Sequence, residues 1–147
     1  MYNHLLVATD GSKLSDKALA QAIALAKATN ARVTVFHATL NIPPPMYADG
    51  VSVQMTPMGD YMKEAKAQSA KVLERAAKKA QAAGVTVATA SAVSDAPWEA
   101  ILAAAKKAKA DTIVMASHGR RGLASLLLGS ETTKVLTHSK LPVLVVR

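Results

Sequence analysis

Apolar positions along the chain fall into two alternating periods. Short apolar runs occupy Asn3 to Ala8 (NHLLVA), Arg32 to Ala38 (RVTVFHA), Val85 to Val93 (VTVATASAV), Asp111 to Ala116 (DTIVMA) and Val143 to Val146, the last after Pro142. Their shortness, their β-branched residues and the turn residues that bound them predict five strands. Between the runs the period changes to three and four. Leu14, Ala18, Ala22 and Leu25 or Ala26 mark a helix that opens after Ser12 and stops at Asn30. Tyr61, Ala65, Ser69, Val72, Leu73, Ala76 and Ala80 mark a second, from Gly59 or Asp60 to Ala83 with Gly84 as its C′ residue. A third starts at Ser94 to Pro97 and runs through Trp98, Ile101, Leu102 and Ala105, and a fourth spans about Ser130 to His138.

Strands and helices therefore alternate along residues 1–147 without a break in composition, which reads as one domain. Strict alternation predicts an α/β fold with a doubly wound, five-stranded parallel sheet and helices on both faces. The one long interruption is Thr39 to about Pro57, which holds four of the six prolines and no helical period. Loops of that length are usually functional. Ligands of doubly wound sheets bind beyond the carboxyl ends of the strands. That rule selects Thr9 to Ser12, the loop after Ala38, Ser94 to Pro97, and Ser117 to Ser130.

Composition narrows the classes. Cysteine is absent, which excludes disulfides, thiolate metal ligands and a thiol nucleophile. No apolar run approaches the roughly 18 residues of a membrane span, and the amino terminus lacks the pattern of a signal peptide. The expectation is a cytoplasmic protein with no membrane partner. The net charge of +8 raises the question of nucleic acid. Most of it lies on two alanine-rich helices as solvated faces, and one Phe and one Trp leave almost nothing for base stacking, so nucleic acid is not the expected partner.

The richest chemistry lies in MASHGRRGLASLLLGSETTKVL, Met115 to Leu136. Gly119 and Gly122 permit close backbone approach, and Gly129-Ser130 opens a helix whose free N–H groups favour an anion. Arg120 and Arg121 are near enough in sequence to add charge-assisted hydrogen bonds to a phosphate. An ordinary glycine turn with an N-cap explains the same residues, and the pattern alone leaves both readings open. Neither G-x-x-x-x-G-K-[ST] nor G-x-G-x-x-G is present, so the common nucleotide motifs do not apply. His118 has no motif partner for general-base work, and His4, His37 and His138 are too scattered for a metal site, so no catalytic or metal-ligating residue is nominated.

Read together, LLVATDGS, VTVFHA, DTIVMASHG, LLLGS and PVLVV resemble the universal stress proteins of the UspA type along essentially the full chain. The nucleotide-binding branch of that family carries G-2x-G-9x-G-[S/T]. Here it aligns on Ala116, Gly119, Gly129 and Ser130, with alanine in place of the first glycine. The resemblance implies that Asp10 faces the nucleoside and that the main chain of Ala38 reads adenine. It also implies phosphates among Ala116, Gly119, Gly129 and Ser130, with Ser117 and Glu131 as neighbours. If position 116 needs positive φ, the added methyl obstructs a phosphate; if it is an ordinary strand end, alanine costs little.

The terminal PVLVVR bears on assembly, because an apolar strand left as an open edge invites pairing. In the proteins this chain resembles, the last strand pairs across a two-fold axis. The expectation is a homodimer through Val143 to Val146. The leading functional expectation is a dimeric stress-response or signalling module that binds ATP or AMP, with any Mg²⁺ or Mn²⁺ arriving on the phosphates and at most slow hydrolysis. A nucleotide-free dimeric interaction protein and a true ATPase are the alternatives.

Overall fold

The computed structural model describes residues 2–41, 47–48, 51–52, 57–119 and 128–147. The elements in chain order are β1 His4–Ala8, α1 Lys13–Thr29, β2 Arg32–Thr39, β3 Tyr47–Ala48, β4 Val51–Ser52, α2 Met58–Ala82, β5 Val87–Val93, α3 Pro97–Ala108, β6 Thr112–Ala116, α4 Ser130–His138 and β7 Val143–Val146. Strands β5, β2, β1, β6 and β7, in that order, form one five-stranded sheet, and every neighbouring pair is parallel. The α/β, doubly wound architecture expected from the alternation is the one observed. In the segment read as a long loop, β3 and β4 form a two-stranded antiparallel ladder, and most of the remainder lies outside the described residues.

The two central strands, β1 and β6, are buried at every position, as a parallel strand covered on both faces must be. On one face Leu5, Val7, Val33, Val35 and Val114 pack against Ala18, Leu19 and Ala22 of α1 and Leu73, Ala76 and Ala80 of α2. On the other, Leu6, Phe36, Ile113 and Met115 pack against Ala100, Ile101 and Ala105 of α3 and Val135 of α4. Each fully buried Leu, Ile, Val or Phe contributes about 1.5–3 kcal/mol over its exposed state, so these two layers supply most of the drive to fold.

The carboxyl ends of α1, α2 and α3 follow one device. Asn30, Gly84 and Lys109 adopt left-handed φ of 55°, 77° and 53°. The next residue's N–H then reaches back to a carbonyl of the last turn: Ala31 to Ala26, Val85 to Ala80 and Ala110 to Ala105, at 2.9, 3.0 and 2.9 Å. This closure corrects one boundary read from the sequence. Val85 is taken up in ending α2, so β5 begins at Val87. Asn3 likewise precedes β1, its N–H held by the Asp111 carboxylate at 2.7 Å.

Candidate functional site

The winding reverses between β1 and β6. From β1 the chain passes through α1 and α2 outward to β2 and β5; it then crosses by α3 to β6 and by α4 to β7. The segments leaving β1 and β6 at their carboxyl ends therefore flank a crevice, at the place where such sheets hold ligands.

The turn after β1 is built around Asp10. Its Oδ1 accepts the Ser12 N–H at 2.9 Å, an Asx-turn, and Gly11 follows at φ 77°. The Ser12 hydroxyl caps α1 by accepting the Ser15 N–H at 3.2 Å, and the Ser15 hydroxyl, itself donating to the Ser12 carbonyl, lies 3.0 Å from that of Thr9. From α2, Arg75 donates to the Gly11 carbonyl at 3.1 Å and, with Lys79, pairs with Asp16. Thus the side chains of two helices fix the turn that presents Asp10.

The segment after β6 meets that turn. A Cβ added at Gly119 would stand 2.8 Å from Asp10 Oδ2, so the bare Gly119 backbone lies directly against the carboxylate. Gly119 is not at positive φ; the missing Cβ leaves room for the Asp10 carboxylate. Gly129 has the same reason. Its N–H donates to the Ser117 carbonyl at 2.7 Å, and an added Cβ would come within 3.1 Å of His118 Cα.

Register places the other residues. Ala8 is opposite Phe36 and Val7 opposite Val114; continued past the end of β1, these registers set Ala38 level with Asp10 and Ala116 level with Thr9. Thr9 donates to the Phe36 carbonyl, whereas Ser94 donates to that of Thr39. Because main-chain polar groups alternate sides along a strand, Ala38 directs its N–H and C=O toward β1, beyond the point where β1 stops. Ser117 donates to the Val146 carbonyl on the β7 side, so Ala116 likewise turns its main chain toward β1. Ala116 has no positive φ, and its methyl is buried with Val114 and Val146 in the layer beneath α1. Alanine at this position therefore fits the ordinary strand end, the second of the two cases weighed from the sequence.

Three helices start at this edge of the sheet near the crevice, and two are closed by side chains. Ser12 caps α1, and Glu131 Oε2 accepts the Trp98 N–H of α3 at 2.8 Å. The start of α4 differs. Its N-cap is Gly129, which has no side chain, and among the described residues no side chain accepts from the amides of Ser130, Glu131 or Thr132. Those three N–H groups carry the positive end of the helix dipole. The Thr132 hydroxyl donates to the Ala116 carbonyl at 3.0 Å and locks the helix over the end of β6.

The residues expected from the sequence are thus sorted by geometry. Asp10, Gly119, Ala38 and Ala116 surround the crevice, with Gly129 and the exposed Ser130 at its α4 side. Ser117 is buried, with its N–H and C=O both used within the fold and its hydroxyl 3.1 Å from His118 Nδ1. The Glu131 carboxylate serves α3 and pairs with Lys134 at 3.3 Å. Arg120, Arg121 and Gly122 lie outside the described residues. Arg75 and Thr132 were not singled out by sequence reasoning. Neither stands in a motif, and each reaches the site from another element.

Fold and site together define a doubly wound α/β protein with a crevice lined by main-chain groups at its switch point. The family model for the Universal stress protein family matches residues 1–147, and the chain belongs to that family. It is 36% identical over 149 residues to universal stress protein YxiE of Bacillus subtilis (strain 168), covering 100% of both chains. Among solved structures, that of the protein MJ0577 superposes with a TM-score of 0.82 at 25% identity, over 99% of this chain and 96% of that one. A universal stress protein solved in complex with cAMP superposes with a TM-score of 0.73 at 30% identity, over 99% and 97% of the two chains.

Proposed function

We propose that the chain binds an adenine nucleotide, ATP or AMP, in the crevice between β1 and β6 and acts as a dimeric stress-response or signalling module. The observation that carries this reading is the close approach of Gly119 to the Asp10 carboxylate beside the start of α4, whose first amides no described side chain accepts from. The cAMP complex of the 30% identical relative supports the ligand class. In this reading Asp10 accepts hydrogen bonds from ribose hydroxyls, as acidic residues do in other nucleotide sites. The outward main chain of Ala38 reads the adenine edge. Phosphates sit at the amides of Ser130 to Thr132, with the Ser130 hydroxyl as a further donor and the main chain of Ala116 and Gly119 alongside. A divalent cation, where present, comes with the phosphates and supplies charge neutralisation there.

The dimer forms on this reading through the open edge of β7. Ile113 and Ser117 donate to the carbonyls of Pro142 and Val146, so alternation leaves the main chain of Val143 and Val145 facing outward. Leu144 and Leu136 are both 41% exposed on β7 and neighbouring α4, apolar surface that a partner strand would cover. Calorimetric titration with AMP and ATP tests the site: wild type binds with one site per chain, and Asp10→Ala reduces affinity by about tenfold or more. Absence of heat and of any thermal shift at millimolar nucleotide overturns the reading. Turnover of ATP is slow on this view; hydrolysis that disappears in both Asp10→Ala and Ser130→Ala would favour a true ATPase instead.

A further inference from the structure

The α3 side of the sheet is covered less completely than the α1 side. Helix α3 packs over β2 and β1, and no other helix of the described residues reaches the same face of edge strand β5. Between α3 and β5 a groove of about 670 Å³ remains. Its walls are alanine: Ala88, Ala90 and Ala92 on the strand face Ala100 and Ala104 on the helix, over Phe36 as floor. Larger side chains at those positions would have filled it.

The charged residues of the groove lie at one end only. His4, Arg32 and Lys107 lie there, at the amino ends of β1 and β2 and the last turn of α3, opposite to the nucleotide crevice. Among the described lining residues no carboxylate is present. His4 is 7% exposed, with Nε2 2.8 Å from the Thr34 hydroxyl and Nδ1 buried. Burial first, and Arg32 second, hold its pKa below the ordinary imidazole value against the opposing Asp111 and the main chain of Ala108 and Lys109. The Asp111 carboxylate is itself engaged by Asn3, His4 and Thr112.

The volume lies in the range of about 300–1,000 Å³ typical of small-molecule sites. We propose that the groove binds an anionic amphiphile, with an acyl or aryl body along the alanine walls and a carboxylate at the Arg32 and Lys107 end.

The test is titration of the full chain with decanoate and with decanol, its neutral counterpart of equal length, followed by calorimetry and amide chemical shifts. Decanoate should saturate one site with shifts at Ala88, Ala90 and Ala104, and decanol should bind about tenfold more weakly or less. Arg32→Gln combined with Lys107→Gln should reduce decanoate affinity to that of decanol, and Ala104→Phe should block both. No saturation below the micellar concentration overturns the proposal, as does equal affinity for acid and alcohol. Self-association of wild type that Ala104→Phe abolishes also overturns it, by assigning the groove to a second copy. Should Ala104→Phe fail to fold, the surface double variant and the acid–alcohol comparison still decide.

Discussion

Gly119→Ala separates a ligand-binding role for the crevice from a purely structural one. The added Cβ would lie 2.8 Å from Asp10 Oδ2, and the carboxylate must retreat by about 0.6 Å to reach ordinary van der Waals separation. Oδ1 moves with it, stretching the 2.9 Å bond from the Ser12 N–H toward the limit at which such bonds lose most of their value. Weakening that bond costs about 0.5–1.5 kcal/mol. Replacing glycine at a site without positive φ returns about 0.4–1 kcal/mol by restricting the unfolded chain. Net stability should therefore change by less than about 1 kcal/mol, a Tm shift of no more than roughly 4 °C. Nucleotide affinity should fall further, by about tenfold, because the displaced carboxylate is the group proposed to meet the ribose. Differential scanning calorimetry and AMP titration read the two effects separately. In an Asp10→Ala background the same substitution should have almost no further effect on affinity, since its partner is gone. A large loss of Tm with unchanged affinity would leave Gly119 with a structural role alone.

Ala116→Gly removes a core methyl and loosens a strand, so it should destabilise by about 1 kcal/mol while changing nucleotide affinity less than about twofold. A variant that gains binding where wild type has none would instead support the nucleotide-free interaction protein. Val145→Pro deletes an outward N–H of β7 and leaves the β6 ladder intact, and sedimentation should show monomers that retain the native circular dichroism spectrum; a persistent dimer would place the interface elsewhere. Burial favours the neutral form of Asp111, but hydrogen bonds from Asn3, Thr112 and His4 outweigh it and hold the pKa below the ordinary carboxylate value. A depressed carboxylate pKa adds stability that is complete above the unfolded value and is lost as pH falls through the folded one. The stability gap between wild type and Asp111→Ala, from denaturant melts, should accordingly be widest at neutral pH and close below about pH 4; a gap constant into acid would contradict this assignment.

Local chemistry made the fold readable from the residues. The near-continuous apolar runs LLVA and TIVM read as strands of a covered parallel sheet, and Asn30 and Gly84 mark helix ends because they accept left-handed φ cheaply. The candidate site was readable as a set of loops, within which the family resemblance proposes named positions. What pattern could not supply was the meeting of elements distant in sequence. Nothing local indicates that Gly119 abuts Asp10, that Arg75 holds the Gly11 carbonyl, or that Glu131 turns its side chain to the start of α3. Ala116 shows the difference most plainly. Its spacing in the motif raised the possibility of obstruction, and only the pleat of β6 directs its methyl into the core.

The most direct test of the central claim is isothermal titration of the purified, nucleotide-stripped chain with AMP and ATP, wild type beside Asp10→Ala. Saturable binding at one site per chain, with a loss of about tenfold or more in the variant, is the expected result. Equal affinity in the two proteins, or no heat at millimolar nucleotide, would contradict it.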